Sequence, residues 1–154
     1  MARQAAGLLL YRGRGGVEVF LVHPGGPFWA KKDAAAWSIP KGEFGDDEEP
    51  LAAARREFAE ETGFTVAGPF ASLGPLRTGG GKTLHAFAAE AELDPAKIVS
   101  NTFQLEWPPR SGRWADFPEV DRAGWFPLEI AREKIHRGQL ELLTRLTAAI
   151  ERAR

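Results

Sequence analysis

Three glutamates, Glu57, Glu60 and Glu61, crowd the final turns of the segment that reads most clearly as a helix, from about Glu49 to Thr62. The helix reading rests on local chemistry. Pro50 is tolerated in a first turn, where a missing N–H leaves no intrahelical bond unmade. Gly63 suits the left-handed residue after a last turn, and Asp46 followed by Glu49 has the pattern of a capping box. At 100° per residue, Leu51, Ala54, Phe58 and Thr62 fall within an arc of about 80°, a stripe that predicts the core-facing side. The three glutamates fall within about 100°, centred roughly a third of a turn away. Such crowding is unfavourable by itself. Like charges three and four residues apart each cost roughly 0.2–0.5 kcal/mol, and the last turns present the negative end of the helix dipole. Arg56, one turn before Glu60, relieves part of the repulsion, but one guanidinium does not balance three carboxylates. A hard divalent cation does, since clustered oxygens are its preferred ligands.

The remaining chain predicts one domain over residues 1–154, of the α/β (α+β) class. Ala5–Tyr11 is an apolar run of strand length; with the Arg12–Gly16 turn cluster and Val17–Val22 it reads as a hairpin. Pro24–Lys32 is a loop. Val66–Leu76 and Thr83–Leu93 read as strands around a Thr78–Gly81 turn, and Arg122–Phe126 as a last strand. Ile98–Asp121 is punctuated by prolines and shows no clear period. Two C-terminal helices follow, near Leu128–Arg137 and Gln139–Arg152, broken at Gly138; in the second, Leu143, Leu146 and Ile150 recur at helical spacing, with Leu142 and Ala149 widening the stripe. Strands and helices mix without regular alternation, which predicts a mixed sheet sandwiched between helices.

Composition excludes several functions. Twenty basic residues against twenty-one acidic ones leave a net charge of −1, which argues against a main role in neutralising nucleic-acid phosphates. The absence of cysteine removes thiol nucleophiles and zinc–thiolate sites. Ala5–Tyr11 is too short to span a bilayer and lacks a cleavage site after it, so no membrane association is expected and the expected location is the cytoplasm.

The helix belongs to a longer pattern. Gly42, five residues, Glu48, seven residues, then Arg56-Glu57-Phe58-Ala59-Glu60-Glu61-Thr62-Gly63-Phe64 resembles, position for position, the signature of the Nudix hydrolases: glycine, five, glutamate, seven, REUxEExGU, with U a bulky apolar residue. Phe58 and Phe64 fill the U positions, where aliphatics are commoner. The resemblance implies a Nudix fold and Mg²⁺- or Mn²⁺-dependent cleavage, by water, of a nucleoside diphosphate linked to another moiety. It implies Glu57, Glu60 and Glu61 as metal ligands, the Gly42 carbonyl as a backbone ligand, and Arg56 with Glu48 as the brace of the loop-helix-loop. Such chemistry suits the charge pattern, because metal ions bridge phosphate oxygens that carboxylates alone repel.

Outside this box, hydrolysis needs a group to position or deprotonate water. Family members often place a further glutamate six residues before a tryptophan on the last strand; Glu119 stands six before Trp125, and Glu106 is the alternative. Trp37-Ser-Ile-Pro-Lys-Gly42 and Thr83–Glu90 resemble the diadenosine tetraphosphate hydrolase branch, making a dinucleoside polyphosphate the first substrate expected and Lys41 a candidate phosphate contact. Nucleoside triphosphates, ADP-ribose and diphosphoinositol phosphates are alternatives within the class, and a nucleotide-sensing module without turnover is the alternative outside it. Arg77, Arg110 and Arg113 are candidates for clamping distal phosphates, with Arg77 the chosen one. Phe28, Trp29, Phe103 and Trp107 are loop aromatics able to stack on a base. Gly79–Thr83 lacks the first glycine of a phosphate-binding loop, Leu76 standing there, and reads as a hairpin turn.

Overall fold

In the computed structural model, which describes residues 3–13 and 15–153, the apolar run lies in β1 (Arg3–Gly13). This strand is buried on both faces. Ala5 and Leu9 point into one core, Ala6, Leu8 and Leu10 into the other, so the run needs no polar alternation. β2 (Val17–Pro24) and β3 (Lys41–Phe44) share one edge of β1. β2 pairs with Tyr11–Gly13 and β3 with Gln4–Gly7, both antiparallel. After α1 (Pro50–Thr62), β4 (Ala71–Gly79) and β5 (Lys82–Glu90) form an antiparallel hairpin. β5 runs parallel to β1 along its other edge. β6 (Thr102–Glu106) and β7 (Trp114–Pro118) make a separate two-stranded sheet, and β8 (Val120–Pro127) returns to pair with β2. The large sheet has the order β4-β5-β1-β2-β8, with β3 on β1.

Helices cover both faces, as the mixed pattern predicts. α1 packs Ala53, Ala54 and Phe58 against Ala6, Leu8, Leu10 and Phe20. α2 (Leu128–Lys134) and α3 (Leu140–Arg152) close the opposite face, where Leu142, Leu143 and Leu146 are fully buried while Ala149 and Ile150 pack at the margin. Among the described residues no helix is long and apolar enough to cross a membrane.

Several expectations are corrected. The N-cap of α1 is Glu49 and makes no side-chain capping bond; Pro50 at N1 removes one of the donors a cap serves, so the Asp46–Glu49 box does not form. The buried face of α1 is also wider than the predicted stripe. Ala53 is fully buried and Glu57 nearly so, while Leu51 is only half-buried, because β3 covers the flank on which the glutamates lie. Val66–Phe70 is not strand, Gly68-Pro69 offering no proline N–H to a ladder. The unassigned stretch after Ile98 holds β6 and β7. β3, lacking any alternation in Lys-Gly-Glu-Phe, is held by its backbone bonds to β1.

Phe58 is fully buried with its ring 6.2 Å from that of Phe20. Phe58→Ala should lower the unfolding free energy by about 3–5 kcal/mol, measured by chemical denaturation.

Candidate functional site

The last turns of α1 face β3 with almost no space between. A Cβ built on Gly42 would fall inside the Glu57 carboxylate, so only glycine lets that side chain lie against the backbone of β3. Glu57 is 9% exposed. Arg56 Nη1 donates to Glu57 Oε2 at 2.6 Å and to Glu60 Oε2 at 2.9 Å. Its Nε and Nη2 donate to the two Glu48 oxygens at 2.8 and 2.9 Å. The guanidinium thereby fastens the loop before α1 to the acidic end of the same helix. Hydrogen bonds to Glu48 and then Glu60 raise the Arg56 pKa, and Arg56 in turn holds Glu48 below the usual carboxylate range.

The other carboxylates lack such compensation. Glu61 accepts the Lys41 backbone N–H at 3.3 Å. Burial pushes its carboxyl up to about 8 against the opposing charge of Lys41, while Glu119 and Glu57 push the same way as burial. Burial raises Glu57 despite Arg56. Glu119 is raised by burial first and then by Glu57 and Glu60. Glutamates that raise one another's proton affinity in a cleft hold a surplus of negative charge.

Glu119 comes to this end of the helix through backbone bonds. The Asn101 N–H donates to the Glu60 carbonyl at 2.8 Å, and the Asn101 carbonyl accepts the Glu119 N–H at 2.8 Å. The Val99 N–H takes the Thr62 carbonyl at 2.8 Å, so carbonyls left over at the helix end are used to dock the Glu119 loop. Ser100 adds one side-chain bond, its Oγ accepting the Val120 N–H at 3.0 Å; the rest is backbone, and sequence reading missed it.

A small cavity of about 100 Å³ is lined by Ser38, Lys41, Glu61, Glu119 and Val120. A second, of about 300 Å³, shares Ser38 and Lys41 and adds Trp29, Lys82 and His136. Lys41 thus stands between them. Burial lowers its pKa, with Glu61 opposing, and no carboxylate of the described residues comes within ion-pair distance of its ammonium. Lys82 is paired with Glu43 at 3.2 Å. A larger, shallower depression of about 520 Å³ at Arg12 and Trp125 contains no residue of α1 and carries no comparable chemistry.

Other candidates fall elsewhere. Glu106 accepts the Gly112 N–H at 3.0 Å and closes the β6–β7 turn. Arg77 is exposed and lines neither cavity; successive side chains alternate along β4, and Thr78 takes the cavity side instead. Arg110 and Arg113 are exposed at the β6–β7 turn. His85 bonds to Gln4 and packs on Phe44. Gly79–Lys82 is the predicted hairpin turn.

The donor set fits a hard divalent cation in kind. It offers the Glu57, Glu60 and Glu61 oxygens, with the Gly42 backbone beside Glu57. Among the described residues no three acidic or histidine side chains are already gathered as a cage; Arg56 holds Glu57 and Glu60, and a cation competes with it for the same oxygens.

A model of the NUDIX domain matches residues 1–146. The fold is similar to that of a C. elegans Ap4A hydrolase in a binary complex, with 22% identity over 97% of this chain and 98% of that one and a TM-score of 0.66. It is similar to the NUDIX domain of Shewanella oneidensis NrtR complexed with ADP ribose, with 15% identity over 97% and 89% and a TM-score of 0.65. It is also similar to RenU, a Nudix hydrolase from M. smegmatis, with 24% identity over 96% and 86% and a TM-score of 0.62. No curated protein matches the chain in sequence.

The Glu61 shift sets a pH dependence. With about 8 in the folded state against an ordinary 4.5, the folded protein binds the extra proton, so this contribution to stability is full below about 4.5 and is lost as pH rises toward 8. In metal-chelated buffer Glu61→Gln should remove that loss. Denaturation at pH 5 and pH 8 should show the wild type losing roughly 1–3 kcal/mol more than the variant.

Proposed function

The chain belongs to the Nudix family and is a hydrolase of the Nudix type, and from that premise we propose divalent-metal-dependent hydrolysis of a nucleoside diphosphate linked to another moiety, a dinucleoside polyphosphate first among substrates. The observation that carries this reading is the convergence of Glu57, Glu61 and Glu119, each with raised proton affinity, beside a cavity that Lys41 borders. Carboxylates so placed serve no purpose in stability; they suit a cation and a water.

Glu57, Glu60 and Glu61, with the Gly42 carbonyl, would hold Mg²⁺ or Mn²⁺. When bound, the ion supplies positive charge to the pyrophosphate oxygens and acidifies water. Arg56 keeps the glutamates in register by its bonds to Glu48, Glu57 and Glu60. Lys41, which borders both cavities, receives a phosphate. Glu119 accepts the proton of the attacking water; the water oxygen bonds to phosphorus as the bridging P–O bond breaks, and the bridging oxygen departs with the leaving phosphate. Burial, with Glu57 and Glu60 adding to it, raises the proton affinity of Glu119, which makes it a stronger proton acceptor than an ordinary carboxylate. Glu106, occupied in its turn, is not needed.

The likeness to the Ap4A hydrolase supports the dinucleoside polyphosphate. The likeness to an ADP-ribose-binding domain keeps ADP-ribose as the second substrate to test and supports, as the alternative class, a sensor that binds without turnover. A substrate panel with Mg²⁺ and Mn²⁺, its best member repeated in ¹⁸O water, tests substrate and attacked phosphorus together. Tight metabolite binding by titration calorimetry with no phosphate released would overturn the enzyme reading.

Two variants test the roles. Glu57→Gln should cut kcat by about 10²–10⁴-fold, the scale of lost charge stabilisation at a reacting centre, with a metal-free fold as stable as wild type or more so. Glu119→Gln should lower kcat by about 10²-fold or more and leave metal affinity nearly unchanged; wild-type turnover in this variant would remove Glu119 from the mechanism.

A further inference from the structure

Of the four aromatics able to stack on a base, Trp29 alone lines the 300 Å³ cavity, with 37% of its surface exposed. The loop that carries it is held from several sides. The Gly25 N–H donates to the Glu119 carbonyl at 2.9 Å. Gly26 lies against the ring of Phe103, 3.0 Å from where a Cβ would stand. The Phe28 ring meets Trp107 edge-on, centroids 5.3 Å apart at 83°. Beyond Trp29, the buried His23 donates from Nε2 to the Lys32 carbonyl at 2.6 Å, and Lys32 Nζ stands 5.0 Å over the indole. Phe103 and Trp107 belong to β6 and the residue after it. The two-stranded arm, which adds no strand to the main sheet, therefore abuts the loop that carries Trp29.

We propose that the Trp29 indole is the wall on which the nucleobase of a nucleotide stacks, with the β6–β7 arm as its buttress and the 5′-phosphate directed to Lys41. This rests on the hydrolase reading above and names the half of the substrate that enters the larger cavity. Three observations fix its terms. The indole supplies a broad apolar face, which base stacking needs. A volume of about 300 Å³ lies at the low end for ligand pockets and suits one nucleoside unit, leaving the remaining phosphates to pass Lys41 toward Glu61 and Glu119. Gln139, the amide side chain lining this cavity, is engaged at both ends: its Oε1 accepts the Ile39 N–H at 3.1 Å, and its Nε2 donates to Ser38 Oγ at 2.9 Å. Recognition then rests mainly on stacking, which every base face permits, so adenine and guanine are bound about equally.

Titration calorimetry of the full chain in magnesium buffer tests this with AMP, GMP and ribose 5-phosphate, none of which has a pyrophosphate to cleave. Wild type should bind AMP and GMP within about threefold of each other and both more tightly than ribose 5-phosphate. Trp29→Ala should weaken AMP and GMP by about five- to hundredfold, the range for one lost base stack, with ribose 5-phosphate unchanged. Trp29→Phe should keep most of the affinity, and Trp107→Ala should weaken AMP by a smaller factor than Trp29→Ala. Wild-type AMP affinity in Trp29→Ala overturns the proposal, as does parallel loss of ribose 5-phosphate or a wild type that binds AMP no better than ribose 5-phosphate. The hydrolase reading fails separately: base-dependent binding that needs Trp29, with no pyrophosphate compound cleaved, leaves the wall standing and removes the reaction.

Discussion

A surplus of buried negative charge at the end of one helix is the constraint around which the rest of the site is organised. α1 ends in acids with no basic residue in its last turn, against the preference of the helix dipole. Arg56 meets part of the imbalance but spends two of its bonds on Glu48, and burial first, then neighbouring carboxylates, leaves Glu57, Glu61 and Glu119 with raised proton affinity. Such an end survives because the helix is secured by other means. Ala53, Ala54 and Phe58 are fully buried against the sheet, and the Glu60 and Thr62 carbonyls are taken by Asn101 and Val99. The packing stabilises a local arrangement that its own electrostatics opposes, which is common where chemistry is to be done.

The cleft is an assembly of short-range fixtures. Gly42 admits Glu57 against β3, and Lys41, the preceding residue, donates its N–H to Glu61 while its ammonium borders both cavities. The Glu119 carbonyl anchors Gly25, and so the loop that carries Trp29. One β-hairpin arm and one helix terminus thus set the distance between the acidic end of the cleft and its aromatic wall. Trp29 lines the larger cavity, Lys41 both, and Glu61 and Glu119 the smaller, the order that the proposed function needs for base, phosphate and scissile bond.

Much of this was legible in the residues. The apolar run of β1, the glycine after α1, the Leu143/Leu146/Ile150 stripe (Ile150 at its margin) and the turn predicted at Thr78–Gly81 each carry a local signal, and each appears where it is expected. The spacing of the glutamates on one helix follows from its period, so the acidic cluster and Arg56 needed no tertiary information. β3 was not legible, because four residues held by backbone bonds leave no pattern in their side chains. Arg77 was misjudged for a related reason: the alternation of β4 puts Thr78, not Arg77, on the cavity side.

Sequence alone determined which residues share a helix face, which apolar run near the start of the chain is a strand, and the family to which the box belongs. Tertiary structure alone decided that Glu119 and not Glu106 meets the helix end, that Lys41 stands between two cavities, and that the loop carrying Trp29 rests against an arm more than seventy residues away. The division has one cause. Distances within a helix or strand are set by its repeat and can be counted along the chain, whereas Asn101, Gly25 and Glu119 are brought together by backbone hydrogen bonds, which any residue but proline can donate and which therefore leave no trace in side-chain identity.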